Sequence, residues 1–234
     1  MIAVAKEYLA DLFSLFYPNI CLSCSQALLK NESIICFRCE GELPHAEHLN
    51  NTENKLAQRF WGRVPVVGAA ALLQFQKGGN VQHLMHQMKY KGRREVGEYI
   101  ANLFGQQLKE PDCIISNVDL VVPVPLHWKK LKIRGYNQCD SFAGAVAEIL
   151  GVPWSATAIE RVQQNVAQAR RKRYDRWGNV AGIFSIKNEQ QLTGKHVLLV
   201  DDIVTTGATA EACMQSILMA DNTKVSFLAM SMAL

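Results

Sequence analysis

Two adjacent carboxylates stand directly before a loop rich in hydroxyl groups, in the stretch VLLVDDIVTTGATAEAC of residues 197–213. The apolar run before Asp201 and Asp202 predicts a buried strand, and the residues from about Thr209 onward predict a helix. A loop that joins a strand to a helix lies at the carboxyl edge of an open α/β sheet, where such sheets bind their ligands. We therefore expect a binding site at this edge.

The loop is suited to a phosphate group. Gly207 permits a positive φ and a close approach of the backbone to a ligand. Backbone N–H groups and threonine hydroxyls can surround a phosphate, and the helix that follows adds the positive end of its dipole. The loop consists of Thr205, Thr206, Gly207, Ala208 and Thr209.

The two carboxylates suit a different part of the same ligand. They cannot bind the phosphate, because like charges repel, whereas they can accept hydrogen bonds from the vicinal hydroxyls of a sugar. A sugar diol beside a monophosphate describes a ribose 5-phosphate. The alternative is a strand–turn–helix without a ligand, in which Asp202 only caps the helix.

Four of the seven cysteines form a second chemical cluster with the spacing C-x2-C-x11-C-x2-C. Two such pairs supply the four thiolates of a tetrahedral zinc site, which leaves no open position, so the metal would be structural. The segment NESIICFRC offers a strand entering the second pair. The alternative is four unlinked buried cysteines. The predicted zinc ligands are Cys21, Cys24, Cys36 and Cys39.

The net charge of +4 hides strong clustering of the basic residues. Three short windows contain more than half of them, which favours a polyanionic ligand such as phosphates or nucleic acid, although each window alone could be a solvated surface. The windows are Lys89, Lys91, Arg93 and Arg94; Lys129, Lys130, Lys132 and Arg134; and Arg170, Arg171, Lys172, Arg173 and Arg176.

From Val64 onward, strand and helix patterns alternate and predict a parallel α/β sheet flanked by helices. We place the N-terminal helix, the cysteine module and a polar connector of residues 44–62 in a unit of residues 1–62, and the sheet in residues 63–234. Asn80 is the expected N-cap of the first helix. The predicted strands are 66–75, 119–125, 194–202 and 224–234, and the predicted helices are 80–90, 94–108, 137–150 and 208–221.

No apolar run approaches the about 20 residues that a membrane-spanning helix needs. The first 18 residues carry Lys6, Glu7 and Asp11 and no small-residue cleavage site, so we expect an amphipathic helix rather than a signal peptide. Basic residues are nearly absent there, which disfavours a membrane-surface role. Without an export signal, the cytoplasm is the expected compartment and disulfides are not expected.

The stretch VLLVDDIVTTGAT resembles the phosphoribosyl diphosphate (PRPP) signature of type I phosphoribosyltransferases. The stretches KYKG, VPVPLHWKKLKIRGYNQ and QNVAQARRKRYDRWGNVAGIF, together with the four cysteines, are similar to the ComF family, which includes competence-associated proteins. The resemblance covers nearly the whole chain. It implies a type I phosphoribosyltransferase-like sheet with a small N-terminal zinc ribbon.

The resemblance also implies roles for individual residues. Asp201 and Asp202 would hold the ribose hydroxyls, and the loop of residues 205–209 would hold the 5′-phosphate. The turn with Pro125, Leu126, His127 and Lys129 would contact the diphosphate. Mg²⁺ that bridges the diphosphate would stabilise the charge on the leaving group, together with Lys129 and one or more of Arg170, Arg171 and Arg173 in a mobile loop.

Two functions stay open at this point. The first is an enzyme that transfers ribose 5-phosphate from PRPP to an unidentified acceptor with release of pyrophosphate. The second is a non-catalytic PRPP sensor that binds single-stranded DNA during uptake and natural transformation, with the DNA-uptake machinery as a partner. Aromatic residues beside the basic windows could stack on bases, namely Tyr90, Tyr136, Tyr174 and Trp177. A glutamine amidotransferase is not expected, because the chain begins with Met1-Ile2 and not with a cysteine nucleophile.

Overall fold

The computed structural model describes residues 18–162 and 183–233, and its centre is a sheet of four parallel strands. The strands are β1 Ala69–Phe75, β2 Leu120–Pro123, β3 Ile159–Arg161, β4 Phe184–Ile186, β5 His196–Val204 and β6 Lys224–Ala233. The strand order in this sheet is β1-β6-β5-β2, and strands β3 and β4 form a separate antiparallel pair.

Helices cover both faces of this sheet. The helices are α1 Phe37–Gly41, α2 Lys55–Gln58, α3 Asn80–Tyr90, α4 Glu95–Leu103, α5 Gly105–Leu108, α6 Trp128–Arg134, α7 Cys139–Leu150 and α8 Ala208–Ile217, with a 3₁₀ turn at Glu189–Gln191. One face packs against α3, α4 and α7 and against the cysteine module, and the other packs against α2 and α8. None of these helices is long and apolar enough to span a membrane.

The predicted parallel α/β sheet is confirmed. Each predicted sheet strand is present with shifted ends, because a continuous apolar run such as VLLV suits a strand that is buried on both faces. The inner face predicted for α3 is also confirmed, since its four apolar residues are all buried. They are Val81, Leu84, Met85 and Met88.

Three local predictions were wrong. Gly79, not Asn80, is the N-cap of α3, and it offers no side-chain hydrogen bond. The segment before Cys36 is not a strand in the described structure; the short helix α1 follows it instead. Strand β5 continues to Val204, two residues beyond the predicted end at Asp202, so the aspartates lie within its last part.

The connector of residues 44–62 packs on the sheet, whereas its polar composition predicts only a link between the two units. Leu56 and Phe60 are fully buried, and the Phe60 ring meets the Phe227 ring edge-on at a centroid distance of 5.7 Å. The side chain of Asn54 caps α2 and donates to the carbonyl of Ala69 at 2.8 Å. The few apolar residues of this segment are therefore part of the core, whereas the division of the chain at residue 62 stays a prediction.

Candidate functional site

The carboxylate pair and the hydroxyl-rich loop lie at the carboxyl edge of the sheet. Asp201 and Asp202 belong to the last part of β5, and the loop from Thr205 leads directly into α8. Strand β2 lies beside β5 and runs parallel to it, with Pro123 opposite Val200. The turn that follows β2 is therefore at the same edge as the loop, which is where parallel sheets bind ligands.

The conformation of the loop depends on Gly207. This residue caps α8 with a φ of +83°, in the left-handed region that favours glycine. A Cβ atom here would also lie only 3.1 Å from the Phe60 ring. Thr205 and Thr206 are exposed, as are Ala208 and Thr209. The Phe60 ring of the connector therefore supports the buried side of the loop at Gly207. The exposed residues of the loop face solvent, where they can bind an anion.

The two carboxylates have different partners although they are neighbours in sequence. Oδ2 of Asp202 lies 2.7 Å from Nζ of Lys89, and its Oδ1 accepts a hydrogen bond from the backbone N–H of Ile203 at 2.7 Å. Oδ1 of Asp201 accepts from the N–H of Asp202 at 2.8 Å and faces the Cys139 thiol at 3.6 Å. Only Asp202 is paired with the lysine.

Burial and the neighbouring charge of Asp202 raise the pKa of Asp201 from its ordinary value to about 8. Burial, followed by the charge of Asp201, also raises the pKa of the Cys139 thiol, so this group is not a thiolate at neutral pH. At neutral pH Asp201 is therefore less charged than an ordinary aspartate, and the ammonium of Lys89 lies against Asp202. The site can accept hydrogen bonds from sugar hydroxyls without strongly repelling a ligand that carries phosphates.

The turn after β2 leads into the exposed helix α6. The residues Pro125, Leu126 and His127 are partly exposed, and the Val124 carbonyl accepts a hydrogen bond from the Asn137 side chain at 3.1 Å. His127 Nδ1 accepts from the backbone N–H of Lys129 at 3.2 Å, so this histidine caps α6.

The Lys129 side chain is exposed and lies over the Trp128 ring, with Nζ 5.6 Å from the ring centroid. The ammonium group is consequently available beside the proposed diphosphate turn. The contribution of this lysine to catalysis, like that of every other residue assigned to the site, stays a prediction.

Sequence reasoning missed two residues of the site, Lys89 and Cys139. Lys89 begins the stretch KYKG, and Cys139 directly follows the stretch RGYNQ, both of which carry the family resemblance. No pattern in one sequence shows which distant residues meet. By its spacing, Lys89 belongs to a window of basic residues that suits a solvated surface. Its side chain instead turns inward, with 19% of its surface exposed.

The structure brings two of the three basic windows together. The Arg134 guanidinium lies over the Tyr90 ring at 5.2 Å from the ring centroid, and the Arg94 guanidinium lies over the Tyr136 ring at 4.2 Å. The Tyr136 hydroxyl donates to the Met88 carbonyl. The third window, with Arg170, Arg171 and Arg173, lies outside the described residues, as do Tyr174 and Trp177.

The four cysteines of the N-terminal module form a compact cluster. Their sulfur atoms all lie within 4.8 Å of one another, and the N–H groups of Cys24 and Cys36 point at the sulfur of Cys21 at 3.5 and 3.3 Å. A hydrogen bond from the backbone of Gln26 lowers the pKa of Cys24 to about 7. Four sulfur donors at this separation could hold one metal ion and would close its coordination.

The cysteine module is hydrogen-bonded to two of the helices that cover the sheet. His83 on α3 forms a hydrogen bond with the Ser23 carbonyl at 2.9 Å, and Tyr99 on α4 donates to the Glu40 carboxylate. Cys21 and Cys39 are buried in the same core as the apolar residues of α3. The module is consequently part of one core with the sheet.

A cleft of about 380 Å³ lies away from the carboxylate pair. It is formed where β2 begins, at the opposite edge of the sheet, and so it does not belong to the site described above. Its lining includes Leu108, Lys109, Asn117 and Leu150.

Comparison with known protein families identifies one domain. The sequence model of the phosphoribosyl transferase domain matches residues 137–228, a range that contains both aspartates and the whole hydroxyl-rich loop.

Curated relatives carry names that refer to DNA and to competence. The DNA utilization protein YhgH of Salmonella typhimurium is 32% identical over 141 residues, which are 58% of this chain and 60% of that protein. The protein of the same name from Escherichia coli K12 is 26% identical and covers 86% of this chain and 84% of its own length. Competence protein F of Haemophilus influenzae is 27% identical over 74% of each chain. This chain thus spans 60% of the length of the Salmonella relative.

Solved structures with a similar fold are phosphoribosyltransferases. The glutamine PRPP amidotransferase of B. subtilis aligns with a TM-score of 0.42 and 21% identity over 62% of this chain and 30% of that chain. An adenine phosphoribosyltransferase aligns with a TM-score of 0.37 and 16% identity over 64% and 75% of the two chains. The fold assignment rests on the domain match and the parallel sheet.

The raised pKa of Asp201 predicts a pH-dependent stability in the ligand-free protein. Between the ordinary pKa of an aspartate and about 8, the folded state binds more protons than the unfolded state, so stability falls as the pH rises through this interval. The variant Asp201→Asn does not undergo this decline. Its melting temperature should exceed that of the wild type by a margin that grows up to about pH 8 and then stays constant.

The matched control is Asp221→Asn, because Asp221 is exposed. Its difference from the wild type should not vary with pH in thermal denaturation between pH 5 and pH 9. A pH-independent difference for Asp201→Asn as well would show that the Asp201 carboxyl is ionised throughout, contrary to this prediction.

Proposed function

We propose that this chain, which belongs to the ComF family of type I phosphoribosyltransferase-like proteins, binds PRPP at the carboxyl edge of its sheet. One observation carries the proposal: a carboxylate pair at the end of β5, of which Asp202 is buried and Asp201 partly buried, is followed by an exposed, glycine-capped loop at the N-terminus of α8. Vicinal hydroxyls of a sugar fit the carboxylate pair, and a 5-phosphate fits the N–H groups of the loop and the helix N-terminus.

Each part of the site has one task in this proposal. Asp201 and Asp202 accept hydrogen bonds from the ribose hydroxyls, and the loop of residues 205–209 surrounds the 5′-phosphate with N–H and hydroxyl groups. The turn of residues 125–127 faces the diphosphate at the end of the adjacent strand. Mg²⁺ bound by the diphosphate oxygens, which are the hard ligands it prefers, supplies positive charge to the leaving group.

The proposed reaction is displacement of the diphosphate at the anomeric carbon by an unidentified acceptor. Positive charge grows on the ribose and negative charge on the departing oxygens, so a nearby cation lowers the barrier. Lys129 is the described residue in a position to supply it, and its ammonium is exposed at the start of α6. Arg170, Arg171 and Arg173 are proposed for the same task.

Calorimetric titration of PRPP with Mg²⁺ tests the binding. The wild type should bind, and Asp201→Asn with Asp202→Asn should weaken binding about 10- to 100-fold or more, because hydrogen bonds to charged groups contribute about 1.5–3 kcal/mol each. Asp221→Asn is the control and should bind like the wild type. Undetectable binding by the wild type would contradict the proposal.

Pyrophosphate release then separates the enzyme from the sensor. We expect release from PRPP and Mg²⁺ with at least one member of a panel of bases and amines. If protein that binds PRPP releases no pyrophosphate with any of them, the result would contradict the enzyme and support the non-catalytic PRPP sensor.

We also propose that the metal of the cysteine cluster is zinc. The support is the donor set, since four sulfurs close together suit tetrahedral Zn²⁺. Purified protein should contain about one zinc per chain, and its removal by a chelator should lower the melting temperature, because Cys21 and Cys39 belong to the core. Well under one zinc per chain, or removal of zinc without effect on melting, would contradict this assignment.

A second candidate function is binding of single-stranded DNA in the cytoplasm, in contact with DNA-uptake machinery. The observation that favours it is the joining of two basic windows around Tyr90, which is 65% exposed, and Trp128, which is 42% exposed. Exposed rings beside cations are suited to stacked bases and phosphates. The names of the curated relatives, DNA utilization protein and competence protein, point to the same kind of ligand.

The salt dependence of DNA binding tests this second function. Lys130→Ala with Lys132→Ala removes two exposed cations of α6, so the slope of log affinity against log salt should become shallower by about 0.7 for each phosphate that is no longer neutralised. The control is Lys109→Ala with Lys187→Ala, two exposed lysines outside the windows. Equal slopes for both pairs, measured by fluorescence anisotropy with an oligonucleotide, would exclude this surface.

A further inference from the structure

Lys89 is the one described basic side chain in an ion pair with the carboxylate pair. It lies in the last turn of α3, where a positive charge also interacts favourably with the helix dipole. The helix is fixed next to this residue, because Met88 is fully buried and its carbonyl accepts a hydrogen bond from the Tyr136 hydroxyl. The ammonium group is thus held against Asp202 by a rigid element.

The position of Lys89 makes two chemically identical carboxylates unequal. Both oxygens of Asp202 have a partner, since Oδ2 meets the ammonium and Oδ1 accepts the N–H of Ile203. Asp201 has no cation within pairing distance among the described residues. Asp202 is therefore held by a cation and a backbone N–H, whereas Asp201 is held by a backbone N–H and the Cys139 thiol.

The charged and titratable groups around the pair come from four elements. Lys89 approaches from α3, Cys139 from α7 and Cys213 from α8, and the two aspartates belong to β5. Burial raises the pKa of both thiols, so neither supplies a charge at neutral pH. Lys89 is consequently the one group among the described neighbours that can offset a negative charge on Asp202.

We infer that Lys89 is a positioning residue for the sugar diol: its ammonium, 2.7 Å from Oδ2 of Asp202, holds this carboxylate in one orientation, so that Asp202 accepts from one hydroxyl of the ligand. This inference rests on the proposed PRPP site and deepens it, because it assigns different tasks to the two aspartates. Asp201, which carries the proton in the free protein, meets the second hydroxyl. The lysine acts through Asp202 and need not touch the ligand.

If the Lys89–Asp202 ion pair only stabilised the fold, the variants would behave differently in ligand binding. Removal of a buried cation destabilises a protein because it leaves an unpaired buried charge, but this effect alone does not depend on the ligand. The positioning role predicts in addition that ligand affinity falls when the cation is absent and is restored by another cation at the same position. It also predicts that the cation has no effect on affinity once the Asp202 carboxylate is removed.

The decisive experiment is calorimetric titration of PRPP and Mg²⁺ into the full chain and its variants. Lys89→Met should bind about tenfold or more weakly than the wild type. Lys89→Arg, which keeps the cation, should recover most of the affinity. Lys109→Met is the control, because Lys109 is exposed and lies outside the basic windows.

Two further variants separate positioning from folding. Asp202→Asn and the double variant Lys89→Met with Asp202→Asn should bind PRPP equally within about twofold, because Lys89 has no second route to the ligand. The double variant also removes both members of the ion pair and leaves no unpaired buried charge, so it remains a usable protein if Lys89→Met unfolds.

The outcomes distinguish this inference from the function on which it rests. Failure of the wild type to bind PRPP would overturn both. Binding by the wild type with no deficit of Lys89→Met, or with a deficit that Lys89→Arg does not recover, would overturn the role of Lys89 alone. Additive effects in the double variant would do the same, because they would show that the lysine acts independently of Asp202.

Discussion

Two carboxylates on consecutive residues of a buried strand repel each other, and the site depends on how this repulsion is offset. The protein does so with one proton and one lysine, since the pKa of Asp201 is raised to about 8 and Asp202 pairs with Lys89. The same balance serves a ligand with phosphate groups, because a site with two full negative charges would repel it. Both requirements are met by the proton on Asp201 together with the partly buried ammonium group of Lys89.

The rest of the molecule holds that ammonium group in place. Helix α3 carries Lys89, and it packs between the parallel sheet and the cysteine module, with which His83 shares a hydrogen bond. On the other face, Phe60 of the connector supports Gly207 at the start of α8. The N-terminal segments thus support both halves of the site, the carboxylates through α3 and the loop through the connector, although none of their residues belongs to it.

The sequence predicted the parts of the fold that depend on local patterns. The strands followed from continuous apolar runs, and the order of carboxylates, threonines and Gly207 indicated the edge of the sheet at which they lie. The pairing of Lys89 with Asp202 and the burial of Phe60 could not be predicted, because they join residues far apart in the chain. Nothing in KYKG shows which lysine turns inward, and the few apolar residues of the connector form too short a pattern to assign Phe60 to the core.

The central claim is that PRPP binds at the carboxyl edge of the sheet, and amide hydrogen exchange tests it most directly. Exchange is followed in zinc-loaded protein with and without PRPP and Mg²⁺. We expect slower exchange in residues 203–210, where N–H groups of the loop and of the start of α8 would bind the 5′-phosphate, and no change around Leu108 and Asn117 at the opposite edge of the sheet. Protection confined to that opposite edge, or unchanged exchange in the loop at saturating PRPP, would contradict it.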